Sequence, residues 1–284
     1  MLAKVTLMIP EIENSSFRDP SGFIFYHEGI CYRQINPVYK ECYDYFLESG
    51  LYQKLVNEKL LIPHETVSSS HLPFSGGYLT IRPEPIPFIS YPYEWCFTQF
   101  KKAALATLDI LKHALDHNMI LKDANAYNIQ FHNGQPLLID TLSFEKYQEG
   151  EPWAGYKQFC ENFFGPLALM SYKDIRLGRM LCEYICGIPL DLVSSLLPGR
   201  TYFNFNLATH IHLHARCQTK HAEKASIATS NKIMSRKSLL GLIDSLATEI
   251  NNMRWRPRET EWANYYSECT HVPKFLEKYA KILN

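Results

Sequence analysis

Two aspartates and an asparagine cluster near the middle of the chain, in Leu121-Lys122-Asp123-Ala124-Asn125-Ala126-Tyr127-Asn128 and in Leu138-Ile139-Asp140. Asp123 follows a long helical pattern. Asn128 comes five residues later, and Asp140 twelve residues after that, at the end of an apolar run. Strands over 127–131 and 136–139, joined through His132-Asn133-Gly134, fold back as a hairpin. Such a hairpin brings the three side chains to the mouth of one cleft. Phosphoryl transfer uses this set: one carboxylate orients the nucleophile and accepts its proton, while an amide oxygen and a second carboxylate hold Mg2+ against the phosphates. Hard oxygen donors suit Mg2+, and neither His nor Cys is required. Taken alone, the same spacing is met by polar residues that cap strands and turns.

The elements that must position these residues fall into two halves. Residues 22–26 and 30–35 read as a hairpin with Gly29 in its turn, ended by Pro37. Residues 39–49 fit a helix stopped by Gly50, and 51–60 a second one. Short strands are expected at 60–62 and 78–81, with a Ser- and Gly-rich surface loop between them. Pro83, Pro85, Pro87 and Pro92 impose an extended, helix-free connector over 82–94. Phe97, Phe100, Ala104, Leu108, Leu111 and Leu115 then recur at helical spacing. Beyond Trp153 the pattern is helical over 156–186, 207–225 and 236–253. The expected fold class is α+β, with a small β-rich N-terminal lobe (1–90) and a larger helical C-terminal lobe (91–284) that carries the loop 121–144.

The Asp-x4-Asn pattern followed by Asp140 resembles the protein-kinase-like superfamily, closer to aminoglycoside and choline kinases than to eukaryotic protein kinases. The resemblance implies a two-lobed fold, with ATP and Mg2+ as cofactors. Asp123 becomes the catalytic base, and Asn128 and Asp140 the metal ligands. It makes Ile89–Glu94 the hinge whose backbone meets adenine, with Ser90, Tyr91, Tyr93 and Glu94 as the binding positions. Arg33 stands where the phosphate-gripping strand Lys is expected, paired with either Glu41 or Glu48. Three positions depart from the pattern. Leu121 replaces a His, Thr141-Leu142 follows the metal Asp, and Asp19-Pro20-Ser21-Gly22 takes the place of a glycine-rich loop. A pseudokinase therefore stands beside the active enzyme as a reading.

A second resemblance runs along nearly the whole chain, to the N-terminal region of bacterial SAM-dependent methyltransferase proteins, some linked to nodulation. It rests on Phe17–Gly22, Ser90–Trp95, Leu121–Ala124, Leu138–Phe144, Gly150–Trp153 and Thr260–Trp262. Those proteins continue into a Rossmann-like domain, and this sequence ends about where it would begin. The chain shows no strand followed by a glycine-rich SAM turn, so methyltransferase activity is not expected from it. The implied partner is a methyltransferase domain or chain.

Composition narrows the classes. The 284 residues carry 29 basic and 29 acidic side chains, which argues against nucleic-acid binding through bulk positive charge. Hydrophobic residues at 46 % and aromatics at 13 % support a sizeable core. No apolar run reaches the ~20 residues of a membrane span, and no secretory signal is visible, so a cytoplasmic protein is expected. The eight scattered cysteines then read as free, buried thiols, Cys182 and Cys186 among them. His210, His212 and His214, near His221, read as structural rather than metal-binding, Trp153 as ordinary packing, and Arg254–Arg258 as a solvated helix end.

Overall fold

The computed structural model describes residues 11–13, 16, 19–68, 72–74, 76–217 and 234–255. Expectations that fall on Ser69, Ser70, Ser75, His221, Arg256–Arg258, Thr260–Trp262, Cys269 and the helix beyond 217 lie outside those residues, as do Phe17 and Arg18. Met1–Met253 make one compact unit. Arg254–Asn284 make a second, of which Arg254 and Trp255 are described.

The arrangement is α+β: a small antiparallel sheet near the N-terminus, then mostly helix. Strands β1 (Glu11–Ile12), β2 (Gly22–His27), β3 (Ile30–Ile35), β4 (His64–Val67) and β5 (Leu79–Pro83) form a five-stranded sheet in the order β1-β2-β3-β5-β4. The β2–β3 turn is Glu28-Gly29, both with positive φ (51° and 76°). That is the backbone a two-residue hairpin turn of this hand demands. Helices α1 (Lys40–Glu48) and α2 (Leu51–Asn57) lie between β3 and β4 and are joined through Gly50 at φ 81°. α1 buries Tyr43 and Phe46. The Phe46 ring stacks on Phe144 at 4.9 Å, and the Tyr39 hydroxyl donates to the Phe144 carbonyl at 2.5 Å. The sheet's helices thereby hold the chain just beyond Asp140.

α3 (Phe97–Asp116) forms on the expected face and is buried along it. Asn118 turns the chain with φ 56° into β6 (Met119–Leu121), which pairs with β9 (Phe144–Lys146). Between them stands the hairpin of β7 (Ile129–His132) and β8 (Gln135–Leu138), closed by Asn133-Gly134 with φ 50° and 75°. Leu138 bonds to Leu60 and Ile62, docking the hairpin on the N-terminal half.

Several expectations need correction. The strand at 60–62 is a single parallel bridge, Leu61 to Leu138, because Pro63 has no N–H to continue a ladder. β4 was not foreseen: His64-Glu65-Thr66-Val67 is an edge strand without apolar alternation. The connector holds one 3-10 turn, Pro92–Glu94, with proline at its first position. The helix over 156–186 is broken. It runs as α4 (Tyr156–Phe159), a π turn (Cys160–Phe164) and α5 (Gly165–Tyr172). Asp174 then leaves helical geometry and its carboxylate takes the Arg176 N–H, opening a 3-10 run, Ile175–Cys182. That tighter winding buries Leu181 and exposes Cys182 and Cys186. Of the described cysteines only Cys160 is buried, though all are free. α6 (Leu190–Leu196) was also not anticipated. No helix among the described residues is long and apolar enough to cross a membrane.

His210 and His212 are core residues. His210 bonds to the Tyr156 and Ser245 hydroxyls, at 2.8 and 3.0 Å. His212 bonds to those of Ser194 and Thr201, at 2.7 and 2.9 Å. Burial, reinforced by the Arg33 charge, lowers His64 from 6.5 to about 4; burial and then His214 do the same to His210. A base lowered on folding gives stability that is complete above 6.5 and lost as the pH falls towards 4. The unfolding free energy from urea titrations is expected to drop between pH 7 and pH 5, by about 1.4 kcal/mol per histidine per pH unit at most. A flat profile over that window would show that these histidines take up protons in the fold as they do in the unfolded chain.

Candidate functional site

The segment after β6 is held from several sides. Trp153 Nε1 donates to the Leu121 carbonyl at 2.6 Å, so this ring braces the loop as well as packing in the core. Lys122 N–H donates to Ser143 O at 2.8 Å, and Ala124 N–H to Gln158 Oε1 at 2.6 Å. Asn125 N–H reaches Asp123 Oδ1 at 3.1 Å, and Asn125 Oδ1 accepts from Tyr127 N–H at 3.0 Å. That side-chain cap starts the 3-10 turn Ala126–Asn128. At the root of the hairpin Ile139 N–H donates to Asn128 O at 2.8 Å. Asn128 and Asp140 are thus set next to each other by backbone pairing.

Asp140 is partly buried, its side chain 19 % exposed. Its Oδ1 accepts from Leu142 N–H at 3.0 Å and pairs with the Arg33 guanidinium; its Oδ2 accepts from the Ser143 hydroxyl at 2.7 Å. Burial works to raise its pKa, but Arg33, Ser143 and Leu142 together outweigh burial, and the carboxyl is held below the usual range. Asp123 shifts the other way. Burial raises it first and the Asp140 charge second, against bonding from Asn125, Gln158 and Asn128. Two neighbouring carboxylates driven apart in this way are suited to different roles.

Arg33 projects from β3 with its side chain 10 % exposed and lies 3.7 Å from Asp19 as well as on Asp140. Glu41 and Glu48, the two expected partners, are exposed. Asp140 and Asp19 are the carboxylates that Arg33 meets among the described residues. Asp19 Oδ1 accepts from Ser21 N–H at 2.9 Å, making a compact turn. A side chain at Gly22 would collide with the Gln34 carbonyl, so this glycine serves strand packing.

The connector positions have partners of their own. Ser90 N–H and C=O both bond to the Gln130 carboxamide at 3.0 Å. Glu94 spends its carboxylate on Tyr91 N–H at 2.8 Å. Tyr91 stacks on Tyr93 at 5.5 Å and meets Tyr127, in the Asp123–Asn128 loop, at 6.4 Å. Cavities of about 310 and 500 Å³ open elsewhere, beside Glu41 and Glu145 and beside Lys59 and His132.

Asp123, Asn128, Asp140 and Arg33 therefore form one cluster, while Ser90, Tyr91, Tyr93 and Glu94 form another. Sequence reasoning missed Gln158 and Gln130. Gln130 left no signal, since the apolar–polar alternation of Ile129-Gln130-Phe131 reads as a solvent-facing side chain. Gln158 left none either. The donors fit a hard cation. Asn128 lies close enough to Asp123 to favour its ionised form, yet its Nδ2 is buried with no partner in hydrogen-bonding geometry. A carboxamide not anchored through nitrogen can turn its oxygen to a metal.

The raised Asp123 has a consequence for stability. A carboxyl raised on folding stabilises below its unfolded pKa and loses that contribution as the pH rises through the folded value. Asp123→Asn keeps the acceptor for Asn125 N–H and removes the charge. It is expected to raise Tm at pH 7, the gain shrinking towards pH 4. A lower Tm at pH 7 would contradict the placement of Asp123.

No protein-family model matches the chain. It is 34 % identical over 214 residues to nodulation protein NoeA of Rhizobium meliloti (strain 1021), a match covering 75 % of this chain and 44 % of that protein. The chain thus spans less than half the length of the curated relative it matches. Among solved structures it aligns with vaccinia related kinase 3 at 12 % identity and a TM-score of 0.40, over 87 % of each chain.

Proposed function

We propose that this chain is a kinase-like domain that transfers phosphate from a magnesium-bound nucleoside triphosphate to a hydroxyl acceptor. The observation that carries this reading is the convergence of Asp123, Asn128 and Asp140 at the hairpin root, with the Arg33 cation on Asp140. The α+β layout, a small sheet joined by a proline-rich connector to a helical part, supports it. A cytoplasmic setting, with free thiols, goes with it.

Asp123, poised by burial and by its neighbour's charge, accepts the acceptor's hydroxyl hydrogen bond and takes its proton. Gln158 and Trp153 fix the loop so that this carboxylate keeps its place. Asn128 and Asp140 would hold Mg2+ through oxygen, and the metal supplies charge neutralisation on the phosphates. Arg33 offers a permanent cation to a phosphate oxygen from the sheet side.

One observation favours a second reading. Both Asp140 oxygens are already engaged, one of them by Arg33. A domain that kept that pairing would be a catalytically inactive binding or regulatory module of kinase-like shape, serving a SAM-dependent methyltransferase domain or chain. That partner accords with the 44 % coverage of the NoeA relative.

The purified chain is expected to hydrolyse Mg-ATP slowly, with water as the hydroxyl acceptor that takes the phosphoryl group and ADP leaving, and Asp123→Ala to cut the rate by about 10²–10⁴-fold while nucleotide affinity stays within about twofold. Unchanged turnover would remove Asp123 from the chemistry. Asp140→Ala is expected to weaken Mg-ATP binding at least tenfold, followed by calorimetry; equal affinity would reject its role as a ligand. Thermal shift by SAM, with none by Mg-ATP or Mg-GTP, would overturn both readings.

A further inference from the structure

A cavity of about 500 Å³ lies where three pieces of chain meet: the end of α2, the start of the connector and the β7–β8 hairpin. None of Asp123, Asn128, Asp140 and Arg33 lines it. Backbone bonds close the joint. Ile62 N–H donates to Leu138 O at 2.9 Å, Leu138 N–H to Leu60 O at 2.8 Å, and Glu84 N–H to Pro63 O at 2.9 Å. The floor is apolar, with Leu61, Ile62 and Leu137 buried and Val56, Pro63 and Ile86 half-buried. A concave space of this size, apolar below and polar at a few points, has the form of a small-molecule site.

The lining carries charge of both signs. Lys59 comes from the α2 side and Glu84 from the connector, and both are exposed. Neither side chain makes a hydrogen bond or ion pair with another described residue, so the two do not pair with each other. Lys59 follows the cap of α2 in the left-handed region, at φ 57°. Helices commonly end there in glycine, which holds that conformation at less cost. The backbone thus favours glycine at this place, and what lysine adds is its cation. Unpaired opposite charges over an apolar floor complement a zwitterion with an apolar body. A simple anion would meet Lys59 and be repelled by Glu84, and a simple cation the reverse. A molecule bearing both groups on one carbon meets both, while its side chain is buried against the floor.

We infer that this cavity binds an α-amino acid with a large apolar side chain, its carboxylate on Lys59 and its ammonium on Glu84. The inference does not rest on the phosphate-handling reading proposed above. A ligand seated here touches α2, the connector and the hairpin whose root sets Asn128 beside Asp140, so it adds a tie across the joint.

Ligand-observed NMR titration of the whole chain with L-phenylalanine tests this. A dissociation constant of about 3 mM or tighter is expected. Three probes each lack one feature: L-alanine the apolar body, 3-phenylpropionate the ammonium, phenethylamine the carboxylate. Each is expected to bind about fivefold more weakly or worse. Lys59→Gly removes the cation and suits the left-handed backbone, so it keeps the fold. It and Glu84→Gln are each expected to weaken L-phenylalanine by about fivefold or more. A constant weaker than about 3 mM, or no binding, overturns the inference and leaves the phosphate-handling reading untouched. A smaller loss in either variant overturns the placement in this cavity. A smaller loss with any of the three probes overturns the ligand class.

Discussion

The contact between Arg33 and Asp140 is the constraint on which the site depends. A guanidinium cannot shed its charge, and removing one from water costs several kcal/mol unless carboxylates meet it. Here the sheet supplies the cation, and the loop after the β7–β8 hairpin supplies the carboxylate. The pair therefore ties the two halves of the unit at the point where the candidate chemistry lies. It also sets the local charge. Asp19 and Asp140 meet this arginine, and Asp123 lies close enough to Asp140 to feel its charge. Burial and the Asp140 charge keep Asp123 raised while Arg33 keeps Asp140 low, so one arrangement produces the asymmetry of the carboxylates.

The rest of the structure keeps that arrangement rigid. Tyr39 and Phe46 clasp Phe144, so α1 fixes the far side of the Asp140 loop. Gln158 and Trp153 clasp the near side, from the start of the helical part. The backbone bond between Ile139 and Asn128 sets the spacing between them. A site held from three directions loses little entropy when a ligand arrives, which is what positioning chemistry requires.

Much of this was legible in the sequence because it is local. Glu28-Gly29 and Asn133-Gly134 announce two-residue turns. The stripe from Phe97 to Leu115 announces α3, and the spacing of Asp123, Asn128 and Asp140 announces the loop. What stayed hidden depends on pairing over distance. Gln130 meets Ser90 forty residues away, and Gln158 meets Ala124 thirty-four residues away. No periodicity encodes either contact. β6 and β9 are three residues each, too short to show alternation. The break at Asp174 was hidden for another reason. Its carboxylate competes for the backbone only once the chain turns there, and the apolar pattern runs on past it.

The presence of arginine rather than lysine at position 33 bears on how the site works. A lysine ammonium is a compact point charge, whereas the guanidinium is a planar fork with five donors. Through two different nitrogens Arg33 reaches Asp140 and Asp19, while its Nε is buried with no partner. The fork thus moors the Asp19 turn to the hairpin loop and keeps one donor unspent. Where a mobile glycine-rich loop would close over phosphates by its backbone N–H groups, this chain holds a turn fixed by its own carboxylate. A polyphosphate entering here must compete with Asp19 and Asp140 for Arg33, and a metal ion that takes over Asp140 relieves half of that competition. On the proposed reading, cation and phosphate would therefore favour one another's binding by electrostatics.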